Sequence, residues 1–327
     1  MSRDALDFLL LTIAYFRLLK SYSEAMPVKN LKWVYLVLLS IVWGSSFILI
    51  KKGLVGLTPL QLGSFRILFA AFFLLLVGFK SLLKLNKSQW KWIVISGFLG
   101  SFFPVYLFAF AETEIDSAVA SILNAATPLM TLIFGVLFFK LALTQNKGIG
   151  VIIGLLGTLG LIFSGAQVNP DQNYFYSILV IIAASCYAIN VNILKRYMHD
   201  ISALGITTGN FLVLAIPAFI ILLSTGFNFD DIKVDSEIGI SVFFVMILGV
   251  IGTGIAMIIF NRLIQISDPV FSTSVTYTIP LVALGWGFLD GEKFSLLQLF
   301  SALIILLGVF LVNRAKNLYT SNKKTGL

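Results

Sequence analysis

Ser121-Ile122-Leu123-Asn124-Ala125-Ala126-Thr127-Pro128-Leu129 and Thr273-Ser274-Val275-Thr276-Tyr277-Thr278-Ile279-Pro280-Leu281 are two versions of one pattern, 152 residues apart. The same offset pairs Gly135 with Gly287 and Lys140 with Glu292. One gap later, Leu155-Leu156-Gly157 matches Leu306-Leu307-Gly308. Each version lies in an apolar run of roughly one bilayer crossing, about 20 residues at about 1.5 Å of rise each. Working outward, ten such runs follow one another: 33–50, 63–79, 92–110, 117–139, 148–164, 174–194, 203–223, 239–260, 269–289 and 296–312. The repeated pattern falls in the fourth and ninth. The first and sixth agree more weakly, Trp43-Gly44 with Tyr187-Ala188 and Lys51-Lys52 with Lys195-Arg196.

Of 327 residues, 58% are hydrophobic and 12% charged. Soluble domains carry about twice that charge fraction. Backbone polar groups in lipid must be satisfied internally, so only helices or closed barrels span. The runs are continuous and do not alternate with period two, which selects helices. The expected fold is an all-α membrane protein of ten transmembrane helices. These form two five-helix repeats, 33–164 and 174–312, flanked by an N-terminal segment 1–32 and a tail 313–327. Five is odd, so the second repeat enters from the opposite side and the topology is inverted. Repeats of this kind recur in transporters, around a site near the midplane.

The net charge of +8 is sorted by side rather than gathered into a nucleic-acid patch. Lys80, Lys84, Lys87 and Lys91 sit in an even-numbered loop. Glu112, Glu114, Asp116, Asp230 and Asp231 sit in odd-numbered ones. The positive-inside rule then puts both termini in the cytoplasm, and the expected location is a cell (inner) membrane. Leu6–Leu19 is too short to span and contains Asp7 and Arg17, so it reads as an interfacial helix or an upstream extension before Met26.

One Cys (Cys186) and one His (His199) leave no disulfide within the chain and no Cys/His metal cluster. His199 lies in a polar loop. Rossmann glycines, a P-loop and a GxSxG elbow are absent. No enzyme chemistry, cofactor or metal is expected. The partners expected are a small-molecule substrate and membrane lipids, not nucleic acid, with a homo-oligomer left open.

Ser117, Ser121, Asn124, Pro128 and Thr131 fall on one face of the fourth run, and Thr273, Thr276, Tyr277 and Pro280 repeat this in the ninth. Each proline frees a carbonyl one turn earlier, near Asn124 and Thr276. Such groups face a wet cavity or hydrogen-bond between helices. Trp43 and Ser46, Tyr187 and Asn190, Tyr106, Thr127 and Asn210 complete the expected cavity lining, with core packing as the alternative for each. Arg66 is the one charge well inside a run. It either snorkels to the headgroups or acts as a gate or anchor for a substrate carboxylate, with an acid of the 112–116 loop as partner. The glycines of the fifth run, with Gly150 and Gly154 in GxxxG spacing, read as a close-packing surface. No run has Asp or Glu in its middle, which argues against a proton-for-cation exchanger.

Trp43-Gly44-Ser45-Ser46, Arg66, the Ser/Thr-rich runs with Pro128 and Pro280, and Gly291-Glu292 together resemble the EamA family of the drug/metabolite transporter superfamily. The resemblance covers about 30–315. It implies ten helices, cytoplasmic termini, inverted repeats and export of small metabolites such as amino acids. Lys140 departs from the family's pattern, which often has Glu there. The reading is a permease alternating access to a central cavity. A translocator of lipids or lipid-linked headgroups is the alternative within transport. A scaffold or membrane-embedded enzyme is the alternative outside it.

Overall fold

A computed structural model describes residues 27–139, 145–168, 171–233, 236–267, 269–273, 275–292 and 295–314. The expected interfacial helix at Leu6–Leu19, Lys140 and the C-terminal tail beyond 314 lie outside the described residues. Among the described residues every regular element is helical.

The helices are α1 Val28–Gly53, α2 Pro59–Leu82, α3 Lys87–Ala111, α4 Ser117–Phe139, α5 Gln145–Val168, α6 Tyr174–Tyr197, α7 Ala203–Ser224, α8 Glu237–Ile266, α9 Pro269–Thr273, α10 Val275–Leu289 and α11 Leu296–Arg314. Seven carry windows long and apolar enough to cross a bilayer: α1, α2, α3, α4, α6, α7 and α8. Shorter apolar stretches, Gly148–Gly157 and Leu296–Gly308, lie in α5 and α11. Over the ninth expected crossing the described helical residues are Pro269–Thr273 and Val275–Leu289, and residue 274 lies outside the described residues.

Helix starts follow the sequence. Thr58 caps α2 and Asn86 caps α3, each in a reciprocal box with the residue three on, Gln61 and Gln89. Ser295 and Gln298 make the same box at α11. Ser202 and Ser236 accept from the third backbone N–H of α7 and α8.

Three helices are locally irregular. α3 widens into a π-type turn at Phe98–Phe102, and α8 does so at Leu248–Ile255. Thr253 Oγ1 donates to the Leu248 carbonyl at 3.0 Å inside the second of these. Such turns cluster at functional sites because they release backbone from the ordinary ladder. α4 breaks at Ala125–Ala126. Pro128 has no N–H for the Asn124 carbonyl, and the Thr127 hydroxyl donates to it instead, at 2.7 Å.

α2 packs on α7, α5 on α11, α1 on α10 and α4 on α6. α3 lies against α6, and α8 against α1 and α2. The α5–α11 contact is backbone to backbone. A Cβ at Gly308 would stand 2.4 Å from the Gly154 nitrogen, so only glycine fits. Outer faces of these two helices are exposed and apolar, with Ile152, Leu156, Phe300, Leu303 and Leu307 among them. An apolar face this extensive suits lipid, not water.

Candidate functional site

One cavity lies among α1, α2, α3, α4, α6, α8, α9 and α10. α1 supplies Trp43, Ser46, Phe47 and Ile50; α2 supplies Arg66. The π-turn of α3 supplies Gly100 and Ser101, with Val105 and Phe108 beyond. Asn124 and Thr127 flank the break in α4, and Tyr187, Asn190 and Val191 come from α6. The π-turn of α8 brings Gly252 and Thr253; Thr273, Thr276 and Ile279 close the ring. The irregular turns therefore all border the same space.

Aromatic rings form much of the wall. Trp43 meets Phe260 edge to face at 4.9 Å, and its indole N–H donates to the Gly252 carbonyl at 3.0 Å. That bond ties α1 to the π-turn of α8. Tyr187 stacks on Phe108 at 6.3 Å, which meets Phe47 at 5.7 Å. Asn190 packs against Gly100, where a Cβ would stand 2.2 Å from its amide nitrogen. Asn190 Oδ1 has no hydrogen-bond partner among the described residues. A cavity with aromatic walls and a few unengaged amides and hydroxyls suits a small amphiphilic solute.

Arg66 is buried, 8% exposed, and borders the cavity. Its Nε donates to Thr253 Oγ1 at 2.8 Å. Among the described residues its terminal nitrogens have no acceptor, and no carboxylate lies within ion-pair distance. Glu112 acts on it electrostatically from beyond contact range. An unpaired buried cation costs several kcal/mol.

The structure brings together Trp43, Ser46, Asn124, Thr127, Tyr187, Asn190, Thr273 and Arg66 of the expected lining. Tyr106 and Asn210 go elsewhere. Tyr106 packs over Gly63, and its hydroxyl meets Ser64 Oγ at 3.0 Å in the α2–α3 seam. Asn210 turns its amide to α3 beside Ser96; with nitrogen toward Ile93 and Ile206 it donates to their carbonyls at 2.9 and 3.1 Å. Both serve interhelical hydrogen bonding, the alternative open for each. Pro128 and Pro280 are buried and sit off the lining, shaping helices that carry it. The side chain of Tyr277 lies outside the described residues.

At one end of the bundle stands a charged cluster that sequence reasoning did not assemble. Lys51 lies 2.8 Å from Asp290 and 2.9 Å from Glu292, and Lys52 also pairs with Asp290. Glu292 further accepts from Ser117 Oγ at 2.7 Å and from the Ala118 backbone N–H at 3.3 Å. Gly291, at φ 81°, turns the chain back so that the Glu292 N–H reaches the Gly287 carbonyl. The signals were present as Lys51-Lys52 and Gly291-Glu292, but sequence does not pair residues 241 positions apart.

Glu112, just past the end of α3, is buried beside this cluster. Burial pushes its carboxyl well above the usual carboxylate range, and Glu292 adds to the effect; Arg66 and Lys51 pull the other way. Asp116 is raised too, chiefly by burial. Asp290 is held below its ordinary value by hydrogen bonds from Lys51 and Lys52.

The model of the EamA-like transporter family matches residues 31–163 and 175–314. The chain is 26% identical over 271 residues to the uncharacterized transporter YdfC of Bacillus subtilis, covering 82% of this chain and 86% of that one. It is 27% identical over 288 residues to the uncharacterized inner membrane transporter YedA of Escherichia coli, covering 86% and 90%. A solved structure described only as a crystal structure of a protein superposes with a TM-score of 0.62, over 87% of this chain and 95% of that one, at 15% identity. That last likeness concerns the fold alone. Taken with the apolar helices, these matches make the protein a multi-pass membrane protein, and the chain belongs to the EamA-like transporter family.

Proposed function

We propose that the protein is a permease that moves a small organic metabolite, an amino acid or related compound, outward by alternating access to the central cavity. Ten membrane crossings form two inverted five-helix halves, 33–164 and 174–312, with both termini cytoplasmic. The helix contacts support this. Exchanging the halves turns the α1–α10 contact into α6–α4 and the α3–α6 contact into α8–α1, while α2–α7 and α5–α11 map onto themselves. Both π-turns fall in equivalent helices, the third and eighth crossings.

The observation that carries the reading is Arg66. A cation with free terminal nitrogens at the wall of an aromatic cavity is a ready partner for a carboxylate. The unengaged Asn190 Oδ1 and the Tyr187 hydroxyl offer polar contacts to the rest of an amino acid. A panel of radiolabelled amino acids in proteoliposomes, with and without a pH gradient, tests it. Carboxylate-bearing solutes should move faster than in empty vesicles, and Arg66→Gln should lose that movement. Equal fluxes for every solute in loaded and empty vesicles would overturn it.

A further inference from the structure

Glu112 is 8% exposed, and neither carboxylate oxygen has a hydrogen-bond partner among the described residues. Of the donors nearby, Lys51 is shared by Asp290 and Glu292, and none is bonded to Glu112. Lys51 from α1, Ser117 Oγ and the Ala118 N–H all bind Glu292, in the turn before α11. Arg66 from α2 gives its Nε to Thr253. Two carboxylates thus share one neighbourhood, and one of them holds the donors. Asp116, on the same turn as Glu112, faces Glu292 and Lys51 as well. Beyond the pairs, Asp290 and Lys52 complete the charged surroundings.

A carboxylate without donors in a dry place is stable only as the acid. That condition ends when the cluster opens. Separating Lys51 from Glu292 would let water reach Glu112 and free Lys51, which already acts on it from a distance, to serve it instead.

We infer that Glu112 is a proton-binding group of this transporter, holding its proton while Lys51, Asp290 and Glu292 close that end of the cavity and releasing it to water when they part. The proton leaves the carboxyl oxygen for bulk water on the loop side and returns from there on closure, so the cycle is balanced without any other reactant. What the proton would accompany rests on the permease reading; the proton site itself does not. Glu114, two residues on, is partly exposed.

Infrared spectra of the purified protein in lipid, between about pH 5 and 9, read the protonation directly. The protonated-carboxyl band should persist at neutral pH, vanish in Glu112→Gln and survive in Glu114→Gln. A neutral-pH spectrum without that band, or one unchanged in Glu112→Gln, overturns the proposal. If Glu112→Gln does not fold, a carbodiimide specific for protonated carboxyls is applied to the unaltered protein and mapped by mass spectrometry; lack of modification at Glu112 overturns it equally.

The link to opening is read by an impermeant maleimide on Ile50→Cys in a Cys186→Ala background. Val55→Cys, which is exposed, corrects for thiol ionisation. Corrected labelling should rise several-fold from about pH 6 to 8 and stay flat with Glu112→Gln added. The same rise in both proteins sinks the coupling. Flat solute fluxes alongside these expected results would overturn the permease reading and leave the proton site standing.

Discussion

Lys51, at the end of the first helix, and Glu292, ahead of the last, are joined across 2.9 Å although 241 residues separate them. Glu292 is almost completely enclosed, with 1% of its side chain exposed, while Lys51 keeps 34%. The same carboxylate holds Ser117 and the Ala118 N–H at the start of α4. One acid from the second half therefore fastens two helices of the first. Opening that end of the cavity must break all three contacts.

Glu292→Gln should loosen this end. Hydrogen bonds to a charged group are worth about 1.5–3 kcal/mol each, and solvent at Lys51 lowers its share. Labelling of Ile50→Cys from the loop side should rise about tenfold. An unchanged labelling rate would show that the pair does not restrain the cavity.

Acid and base should act on stability in opposite senses through two neighbouring carboxyls. Asp290 is depressed in the fold, so its contribution is present above the unfolded carboxylate value, about 3.9, and is lost as pH falls through the lower folded value. Glu112 is raised, so its contribution is full below about 4.3 and is lost as pH rises toward the folded value. Melting temperatures in detergent should therefore lose their acid slope in Asp290→Asn and their alkaline slope in Glu112→Gln. Identical pH profiles in both variants and the parent would contradict these assignments.

The α5–α11 contact predicts a contrast between two glycines. Gly308→Leu forces a side chain into the Gly154 backbone and should cost at least about 1–3 kcal/mol. Gly285→Ala meets nothing within 4 Å at an exposed helical position and should be neutral to stabilising by up to about 1 kcal/mol. Equal melting temperatures for the two variants would remove this contact from the account.

Trp43→Ala together with Tyr187→Ala should reduce transport at least tenfold at equal protein level. The change removes two walls of the cavity, and with Trp43 goes the donor to the Gly252 carbonyl. Trp43→Phe keeps the ring and loses only the donor, so it separates stacking from the tie to α8. Parental kinetics in the double variant would mean that these rings pack helices and touch no solute.

The helices and their apolar faces were legible because each crossing must be continuously apolar. The polar lining was legible where spacing repeats in both halves, as at Asn124 and Thr276. Tyr106 and Asn210 were not separable from it, because an interhelical hydrogen bond and a cavity contact draw the same residue types. The π-turns were not legible, since Ser101 and Thr253 are too few polar residues in largely apolar runs for a shift of face to change the pattern. Arg66 stood out as a charge, but its inward direction depends on Thr253, a partner 187 residues away. The Lys51, Asp290, Glu292 and Glu112 cluster was hidden for the same reason. Glu112 stood out only as an acid near Arg66 and Glu292 only as part of a family motif, and neither signal joins them to Lys51 and Asp290 until the fold brings the loops together.

Access to the cavity from both faces, one at a time, is the most direct test of the transport cycle. Ser46→Cys, in a Cys186→Ala background, places a thiol on the cavity wall. A carbodiimide, which joins the touching Lys51 amine to the Glu292 or Asp290 carboxyl as an amide before the test thiol is probed, ties the charged end shut. In the untied protein the cavity thiol should react with impermeant reagents added to either side of the membrane. In the tied protein reaction from the loop side should fall at least tenfold, while reaction from the cytoplasmic side persists. Undiminished labelling from the loop side with the tie in place, or labelling from one side only in the untied protein, would contradict alternating access.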